Sequence, residues 1–416
     1  MCRVLGPAFV PYLPAVMPPL LQVAASSADV QILENDETLR DVEQDHNWEL
    51  LPFKDKIIGI RTSTLEDKNT AIELITIYAQ VLEGAFEPYV VKTLEEIAIP
   101  GLAFFFHDPV RVSSAKLIPR LLNAYKKSHN EQSVEFQQMW SSALLKIIEI
   151  LTAEPSIDTL AEMFQCFYES VEVAGKNCLS PQHMQAFIES SKSALEDYQK
   201  RVQKRLEDKA ELDDGEDDTF SFDYEMEEDQ NLLSDMNKAF HTIFKNHGPA
   251  FLPAWEQLLP FYNSFVTSDD PTQRQWVLCI LDDVLEFCGD QSWNYKDHIL
   301  KPLIDGMQDE NPSNRQAAAY GVGVAAQKGG EAWSEFAAGS IPMLFAVTRF
   351  ADARSEEHVF ATENGSASIA KILHFNSSKV PNPQEVVDNW IDTLPIENDE
   401  EAAPYAYAFL AQLIDQ

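Results

Sequence analysis

Three arginines of this 416-residue chain follow a corner in which Asp or Asn precedes Pro. A guanidinium carries a rigid fork of donors, which suits a fixed contact with a carboxylate. We therefore predict that these corners form a structural ladder that links neighbouring turns of the fold. The predicted members of the ladder are Asp108, Arg111, Asp270, Arg274, Asp309 and Arg315.

The corners recur at a regular spacing. Arg274 and Arg315 are 41 residues apart, and a further 41 residues lead from Asn311 to Asp352, beside Arg354. This period is typical of a helical solenoid built from two-helix repeats. Because proline fits the first turn of a helix and no later one, each corner should end one helix and begin the next.

A second phrase, Phe-x-Pro followed by an apolar helix, marks the partner helix of a repeat. It begins at Phe9, Phe86 and Phe251, and the last two are 165 residues apart. One helix pair cannot bury its apolar face alone, so neighbouring pairs must stack. The sequence predicts an all-α superhelical solenoid with a concave and a convex face.

Apolar residues at helical spacing place the individual helices. Trp140, Leu144, Ile147 and Leu151 form one such stripe, which we interpret as core. We predict a lone helix at 7–25, then pairs at 62–83 and 86–107, 110–128 and 133–152, 156–175 and 180–206, 229–247 and 250–267, 271–289 and 293–309, 312–328 and 331–350, and 355–375 and 383–396, with a last helix at 400–416. This gives one solenoid of about eight repeats over 1–416, incomplete at both ends, so we expect further repeats beyond this sequence.

The net charge of −36 indicates basic partners. It disfavours nucleic acid and anionic membranes, which attract basic surfaces. Like-charge repulsion also favours solubility, which is an alternative reason for the acidity. We find neither an apolar run long enough to span a membrane nor a signal peptide, and so expect no membrane partner.

The residues that could carry catalysis or bind metal are scattered. Five cysteines, an odd number, are interpreted as reduced core thiols of a cytosolic or nuclear protein. The nine histidines lack ligand spacing, so we expect no metal and no cofactor. Gly321-x-Gly323 lies within an Ala-rich helix and is not predicted to be a phosphate loop. We find no nucleophile, base and orienting group in one pattern, and we do not expect an enzyme.

Two segments depart from the repeat pattern. The first is an acidic insertion at 26–61 whose later part allows a short hairpin. The second, at 207–230, includes eleven carboxylates and no Lys or Arg between Glu211 and Asp229. Blocks of like charge do not pack, so we predict a mobile loop there. It is either a solvated spacer or an acidic arm that binds a partner or masks the chain itself. Lys200, Arg201 and Arg205 precede this run. Pairing between these basic residues and the acidic run would account for both clusters of charge.

Several phrases resemble the importin-β superfamily, in its importin-β3 branch. They are Asn-Pro-Ser-Asn-Arg-Gln-Ala-Ala-Ala-Tyr-Gly-Val-Gly-Val-Ala-Ala-Gln at 311–327, Arg-Gln-Trp-Val-Leu-Cys-Ile-Leu-Asp-Asp-Val at 274–284, Ala-Thr-Glu-Asn at 361–364 and Phe-Val-Pro-Tyr-Leu-Pro at 9–14. The resemblance covers the whole chain and matches the C-terminal half of the family's longer members. It implies a right-handed superhelix of HEAT repeats.

The resemblance also implies a nuclear import receptor that shuttles between cytoplasm and nucleus. Such receptors bind basic segments of cargo, of the histone or ribosomal-protein type, contact Phe-Gly nucleoporins, and release cargo to the Ran GTPase. Their principal Ran contact lies in N-terminal repeats that this sequence lacks. If the second helix of each repeat faces inward, as the family implies, the cargo-binding residues should be Glu87, Glu95, Glu96, Trp255, Glu256, Asp297, Asp305, Asp388, Trp390 and Asp392, because a tryptophan beside a carboxylate suits Lys and Arg.

The same repeats allow an alternative function. A HEAT-repeat scaffold or regulatory subunit would also use a stacked helical array to organise other proteins. Its predicted difference from a transport receptor is that it would not respond to Ran-GTP.

Overall fold

The computed structural model describes residues 1–33, 48–53, 56–211 and 219–415. It divides into two compact units. Unit 1 comprises Met1–Cys178 and Glu189–Ala239, and unit 2 comprises Leu179–Ile188 and Phe240–Gln416. Each unit is a stack of helix pairs, as the two recurring phrases predict.

In unit 1 the first helices of successive repeats pack side by side. Helix Thr62–Leu82 packs against Asp108–Ser128, which in turn packs against Ile157–Ala174. The second helices and connecting segments of this unit are Cys2–Leu5, Gly6–Tyr12, Leu13–Ala24, Glu83–Tyr89, Val90–Thr93, Leu94–Ala98, Ile99–Gly101, Val134–Ala153 and the Glu189–Glu211 part of helix Pro181–Glu211. Helix Thr219–His247 begins in unit 1 and ends in unit 2.

Unit 2 repeats this arrangement. Helix Pro312–Lys328 packs between the first helices Pro271–Cys288 and Val359–Phe375, and the latter also packs against Ala403–Ile414. The second helices are made of short helical pieces: Gly248–Phe251, Leu252–Trp255, Glu256–Leu258 and Leu259–Phe265; Gly289–Tyr295 and Lys296–Gly306; Glu331–Trp333, Ser334–Gly339 and Ile341–Thr348; and Ser377–Lys379 and Pro383–Ile391.

The corner residues explain where the first helices of unit 2 begin. Asp270 accepts a hydrogen bond from the backbone N–H of Thr272 at 2.8 Å, and Asn311 accepts one from Ser313 at 2.9 Å. Each satisfies a donor that the first helical turn leaves open, and the proline that follows needs no donor partner. Asp270 and Asn311 are therefore N-caps, whereas Asp108 is the first residue of helix Asp108–Ser128 and its carboxylate accepts from Arg111.

The Phe-x-Pro phrases lie in 3-10 turns at the start of second helices. Phe9, Phe86 and Phe251 are all buried there. A proline inside a helix removes a backbone donor and crowds the preceding turn. The proline-rich second helices accordingly break into short 3-10 and α segments, with one π segment at Leu94–Ala98. Their buried phenylalanines pack on first helices: the Phe9 ring lies 5.1 Å from that of Tyr78, and the Phe251 ring lies 4.9 Å from that of Phe244.

The insertion near the N-terminus contains a three-stranded antiparallel sheet. Its strands are Val30–Leu33, Trp48–Phe53 and Lys56–Arg61, with Lys56–Arg61 in the centre. The sequence allowed only a short hairpin here. The first strand was missed because it is four residues long. Most of the insertion's carboxylates lie outside the described residues.

The predicted mobile loop at 207–230 is wrong over much of its length. Helix Pro181–Glu211 continues into it, and helix Thr219–His247 begins within it. Arg201 and Arg205 each place a guanidinium nitrogen 2.6 Å from the carboxylate of Asp229, which is buried. Asp229 is thus paired with two arginines of helix Pro181–Glu211, and Arg205 also lies 3.9 Å from Glu225, which favours internal pairing for this end of the acidic run. Residues 212–218 lie outside the described part of the chain.

One segment contradicts the expectation that the chain lacks a long apolar run. Among the described residues, Cys2–Ala24 is long and apolar enough to cross a membrane by length and composition. Of its apolar 18-residue stretch, 17% is buried. Core helices of globular proteins and signal sequences meet the same criterion. Within this segment, Leu13–Ala24 packs on helix Thr62–Leu82 and buries Leu13 and Met17.

Candidate binding surface and structural corners

The predicted binding carboxylates lie on the second helices, and nearly all are exposed. Glu87 is half-buried, whereas the other seven reach solvent: Glu95, Glu96, Glu256, Asp297, Asp305, Asp388 and Asp392. Their contacts are local. Glu96 pairs with Lys92 at 3.9 Å and Asp305 with Lys301, each one turn away, and Asp388 accepts a hydrogen bond from Gln384. Exposed pairs of this kind contribute little to stability, so these carboxylates can exchange partners.

Only one of these carboxylates bridges to a neighbouring second helix. Glu256 accepts a hydrogen bond from the hydroxyl of Tyr295, the last residue of segment Gly289–Tyr295 in the next second helix of unit 2. Burial, together with this carboxylate, raises the pKa of Tyr295, so the hydroxyl keeps its proton. Glu256 is thereby held in place while it remains exposed.

Trp255 and Trp390 are not part of an exposed surface, and their predicted role in cargo binding is wrong. Both are 0% exposed. The Trp255 indole N–H donates to the hydroxyl of Tyr262 at 2.7 Å, and that of Trp390 donates to the backbone carbonyl of Ser366 at 2.9 Å. Neither ring can stack on a partner's cation, because both lie in the core.

Sequence reasoning missed other residues on the same helix layer. Glu331 and Glu335 have side chains 82% and 84% exposed, and both pair with Lys379. Trp293 is partly exposed. Its immediate neighbours, Ser292 and Asn294, are polar, but Trp255 also has a polar neighbour in Glu256, so no local sequence signal separates the two tryptophans.

The corner of unit 1 buries a complete ion pair. Arg111 forms two contacts with Glu154, one at 3.2 Å and one shorter, and a third with Asp108 at 3.2 Å. Its Nε donates to the carbonyl of Leu102, and Phe105 lies 5.1 Å from the guanidinium. The Glu154 side chain is 0% exposed, so this corner joins two neighbouring repeats by buried charge.

The next corner has the same chemistry with different residues. Arg274 forms a bidentate pair with Asp309, at 2.7 and 3.0 Å, and donates to the carbonyl of Ser268. Burial alone would raise the pKa of Asp309, but the hydrogen bonds from Arg274 and from Asn311 outweigh it and lower the pKa. Asp270 forms the helix cap described above.

Arg315 meets a different set of partners. It donates to the carbonyls of Asp309 and Glu310 at 2.7 and 2.8 Å, and its third contact, at 2.9 Å, is with Nδ1 of His358. Phe350 stacks on the guanidinium at 3.7 Å. The residue is buried, and this desolvation lowers its pKa. The ring and the carbonyls replace the carboxylate that Arg111 and Arg274 use.

The Ala-Thr-Glu-Asn phrase fixes the segment that precedes the last helix. The carboxylate of Glu363 accepts backbone N–H groups from Glu397, Asn398 and Asp399 at 2.7–3.0 Å. Burial would raise the pKa of Glu363, but these hydrogen bonds outweigh it and lower the pKa. Asn364 adds a hydrogen bond to the Asp399 side chain.

Gly321 and Gly323 serve helix packing. A Cβ at Gly321 would lie 2.1 Å from the Asp282 carboxylate, and one at Gly323 would lie 2.3 Å from the Ser368 hydroxyl. Helix Pro312–Lys328 can approach its two neighbours only because these positions lack a side chain. Among the described residues, no group of three or more His, Cys, Asp or Glu side chains is placed to hold a metal ion. All five cysteines are free thiols.

Comparison with known proteins decides the family. Residues 159–268 match the family model described as Importin repeat 6. The chain is 34% identical over 414 residues to importin subunit beta-3 of Saccharomyces cerevisiae, covering 100% of this chain and 38% of that protein. The chain belongs to the importin-β superfamily, in the importin-β3 branch.

Further importin relatives agree. A probable importin-5 homolog of Dictyostelium discoideum is 23% identical over 424 residues, covering 96% of this chain and 37% of that protein. The crystal structure of Kap121p bound to RanGTP matches with a TM-score of 0.86 at 32% identity, over 100% of this chain and 38% of that one. The crystal structure of Kap121p bound to Ste12p matches with a TM-score of 0.85 at 32% identity, over 99% of this chain and 37% of that one. The predicted all-α HEAT-repeat solenoid is confirmed, and the chain spans less than two fifths of the length of these importins.

Proposed function

We propose that this chain acts as part of a nuclear import receptor that binds basic targeting segments of cargo proteins. The receptor carries them through the nuclear pore under Ran-GTP control, with Phe-Gly nucleoporins as transient partners, and shuttles between cytoplasm and nucleus. The observation that carries this proposal is the match over the whole chain to Kap121p, which has been crystallised bound to RanGTP and bound to Ste12p.

The surface chemistry supports a basic partner. The chain carries 67 Asp and Glu against 31 Lys and Arg. Seven of the eight predicted carboxylates are exposed on second helices, where their pairings are local and weak. Exposed carboxylates raise the rate at which a Lys/Arg-rich segment meets the surface, and they release it again when a competitor is present. This is the behaviour that a carrier needs.

A binding assay with the 416-residue chain tests the proposal. A Lys/Arg-rich peptide of the histone-tail or ribosomal-protein type should bind, whereas a peptide of the same length with Glu in place of Lys and Arg should not. The family's principal Ran contact lies in N-terminal repeats outside these 416 residues, so the peptide pair decides the test. A chain that does not bind the basic peptide, or that binds both peptides equally, would contradict the transport function and favour the scaffold alternative.

A further inference from the structure

Trp293 differs from the other tryptophans of unit 2. Trp255, Trp276, Trp333 and Trp390 are at most 1% exposed, whereas Trp293 is partly exposed. Aromatic side chains of this size are usually covered, because their burial removes a large apolar area from water. An accessible indole ring on a second helix is therefore available to a partner.

The Trp293 ring is fixed on one side and holds a cation on its face. Trp333 packs perpendicular to it, with the ring centroids 5.0 Å apart, and the Trp333 indole N–H donates to the Ser292 hydroxyl. Lys296 places its Nζ 5.0 Å from the centroid of Trp293. A cation over a tryptophan face is held by attraction to the negative face of the ring, and this attraction is weak where solvent has access. Lys296 is therefore a displaceable occupant.

The second helix that carries Trp293 and the one before it also carry exposed carboxylates. Asp297 follows Lys296 in the sequence and is exposed. Glu256 is fixed by the hydroxyl of Tyr295, two residues after Trp293, and is exposed as well. An arginine or lysine side chain needs an apolar surface for its stem or plane and an anion for its charge. The Trp293 ring offers the first, and the exposed carboxylates of these two second helices offer the second.

We propose that the face of Trp293 is a subsite for an arginine or lysine side chain of a basic protein segment, and that Lys296 occupies this subsite in the unbound chain. The inference rests on the proposed function, and it assigns one arginine or lysine of the basic segment to the face of Trp293. Binding then exchanges an internal cation for the partner's cation. Arginine fits better than lysine, because its planar guanidinium stacks on the ring.

Lys296→Gln tests the exchange directly. It removes the occupant, so an Arg-rich peptide should bind the 416-residue chain about two- to five-fold more tightly than it binds wild type, the ratio that one exposed cation–π contact gives. Lys328→Gln is the matched control, since it removes one exposed positive charge from a first helix. It should produce a smaller gain. An equal gain in the two variants would overturn the proposal, because net charge alone would then explain the effect.

Trp293→Ala and Trp293→Phe test the ring. Trp293→Ala should weaken Arg-rich peptide binding by about two- to five-fold, and Trp293→Phe, which keeps a ring against Trp333, should lie between. The peptide should also change the tryptophan fluorescence of wild type more than that of Trp293→Phe. If wild type, Trp293→Ala and Trp293→Phe all bind the peptide with equal affinity, the subsite is overturned and the proposed function stands. If wild type binds no basic peptide, both proposals fail.

Discussion

Two sets of charged side chains in this chain differ in burial: those at the corners between repeats and those on the exposed faces of the second helices. At a corner, Arg111 and Glu154 are buried against each other. On a second helix, Asp297 and Asp305 are exposed, and Asp305 pairs with Lys301 one turn away. Breaking a buried pair leaves a charge without water or partner, whereas breaking an exposed pair changes little. We therefore assign the corner charges to stability and the second-helix charges to binding.

The largest expected effect is at the unit 1 corner. Arg111→Ala should lower the free energy of unfolding by about 3–5 kcal/mol, because Glu154 would remain buried without its partner. Urea denaturation followed by circular dichroism measures this. The double variant Arg111→Met with Glu154→Leu should recover most of the loss. If Arg111→Ala left stability unchanged and abolished peptide binding, the corner would be a binding site instead of a structural link.

Arg315→Ala should have a smaller effect, about 1–3 kcal/mol, since its partners are two backbone carbonyls and His358 and no buried carboxylate is left unpaired. Arg349→Ala is a control, because Arg349 is exposed and its guanidinium lies 5.0 Å from the ring of Phe345. It should lie within about 0.5 kcal/mol of wild type. A loss for Arg315→Ala that equals or exceeds that for Arg111→Ala would contradict the distinction between the two corners.

Glu363 predicts a pH dependence. Its folded pKa is lowered, so it contributes stability that is fully present above the ordinary glutamate pKa of about 4.3 and is lost as the pH falls through the lowered folded value. Glu363→Gln should therefore be less stable than wild type at pH 7, and the difference should shrink on acidification. Melting temperatures between pH 3 and pH 7 test this. Glu397→Gln is the control, because the Glu363 contact uses only the Glu397 backbone N–H. A difference that grows toward low pH would show that the sign is wrong.

The sequence predicted the helix positions well, because the corner carries its own local signal. The Asp/Asn-Pro pair begins a helix at all three corners, and at Asp270 and Asn311 the side chain also caps that helix. The segment 219–230 was mispredicted as a loop, because the arginines that pair with its Asp229, Arg201 and Arg205, come from another helix. A contact between two helices is not visible in the local pattern.

The sequence could not show which side of a second helix faces the core. Between Phe251 and Phe265 the chain alternates between 3-10 and α segments. A 3-10 turn has fewer residues per turn than an α-helix, so each switch rotates the residues that follow. Trp255 and Glu256 are neighbours, yet the first is buried and the second exposed. The sequence therefore found the exposed carboxylates but assigned the wrong tryptophans to them.

The most direct test of the account is the association rate of a Lys/Arg-rich peptide with three forms of the chain, each at low and at physiological salt. The forms are wild type, the second-helix variant Glu256→Lys/Asp297→Lys/Asp305→Lys, and the control Glu356→Lys/Glu400→Lys/Glu401→Lys. The control has the same change in net charge, at exposed residues away from the second helices.

Steering charges act mainly on association, and salt screens exposed charges beyond about 8 Å at physiological ionic strength. We predict that the wild-type rate falls steeply with salt, that the second-helix variant loses most of the rate at low salt, and that the control keeps most of it. Equal rates for the two variants, or a wild-type rate that does not depend on salt, would contradict the assignment of binding to the second-helix carboxylates.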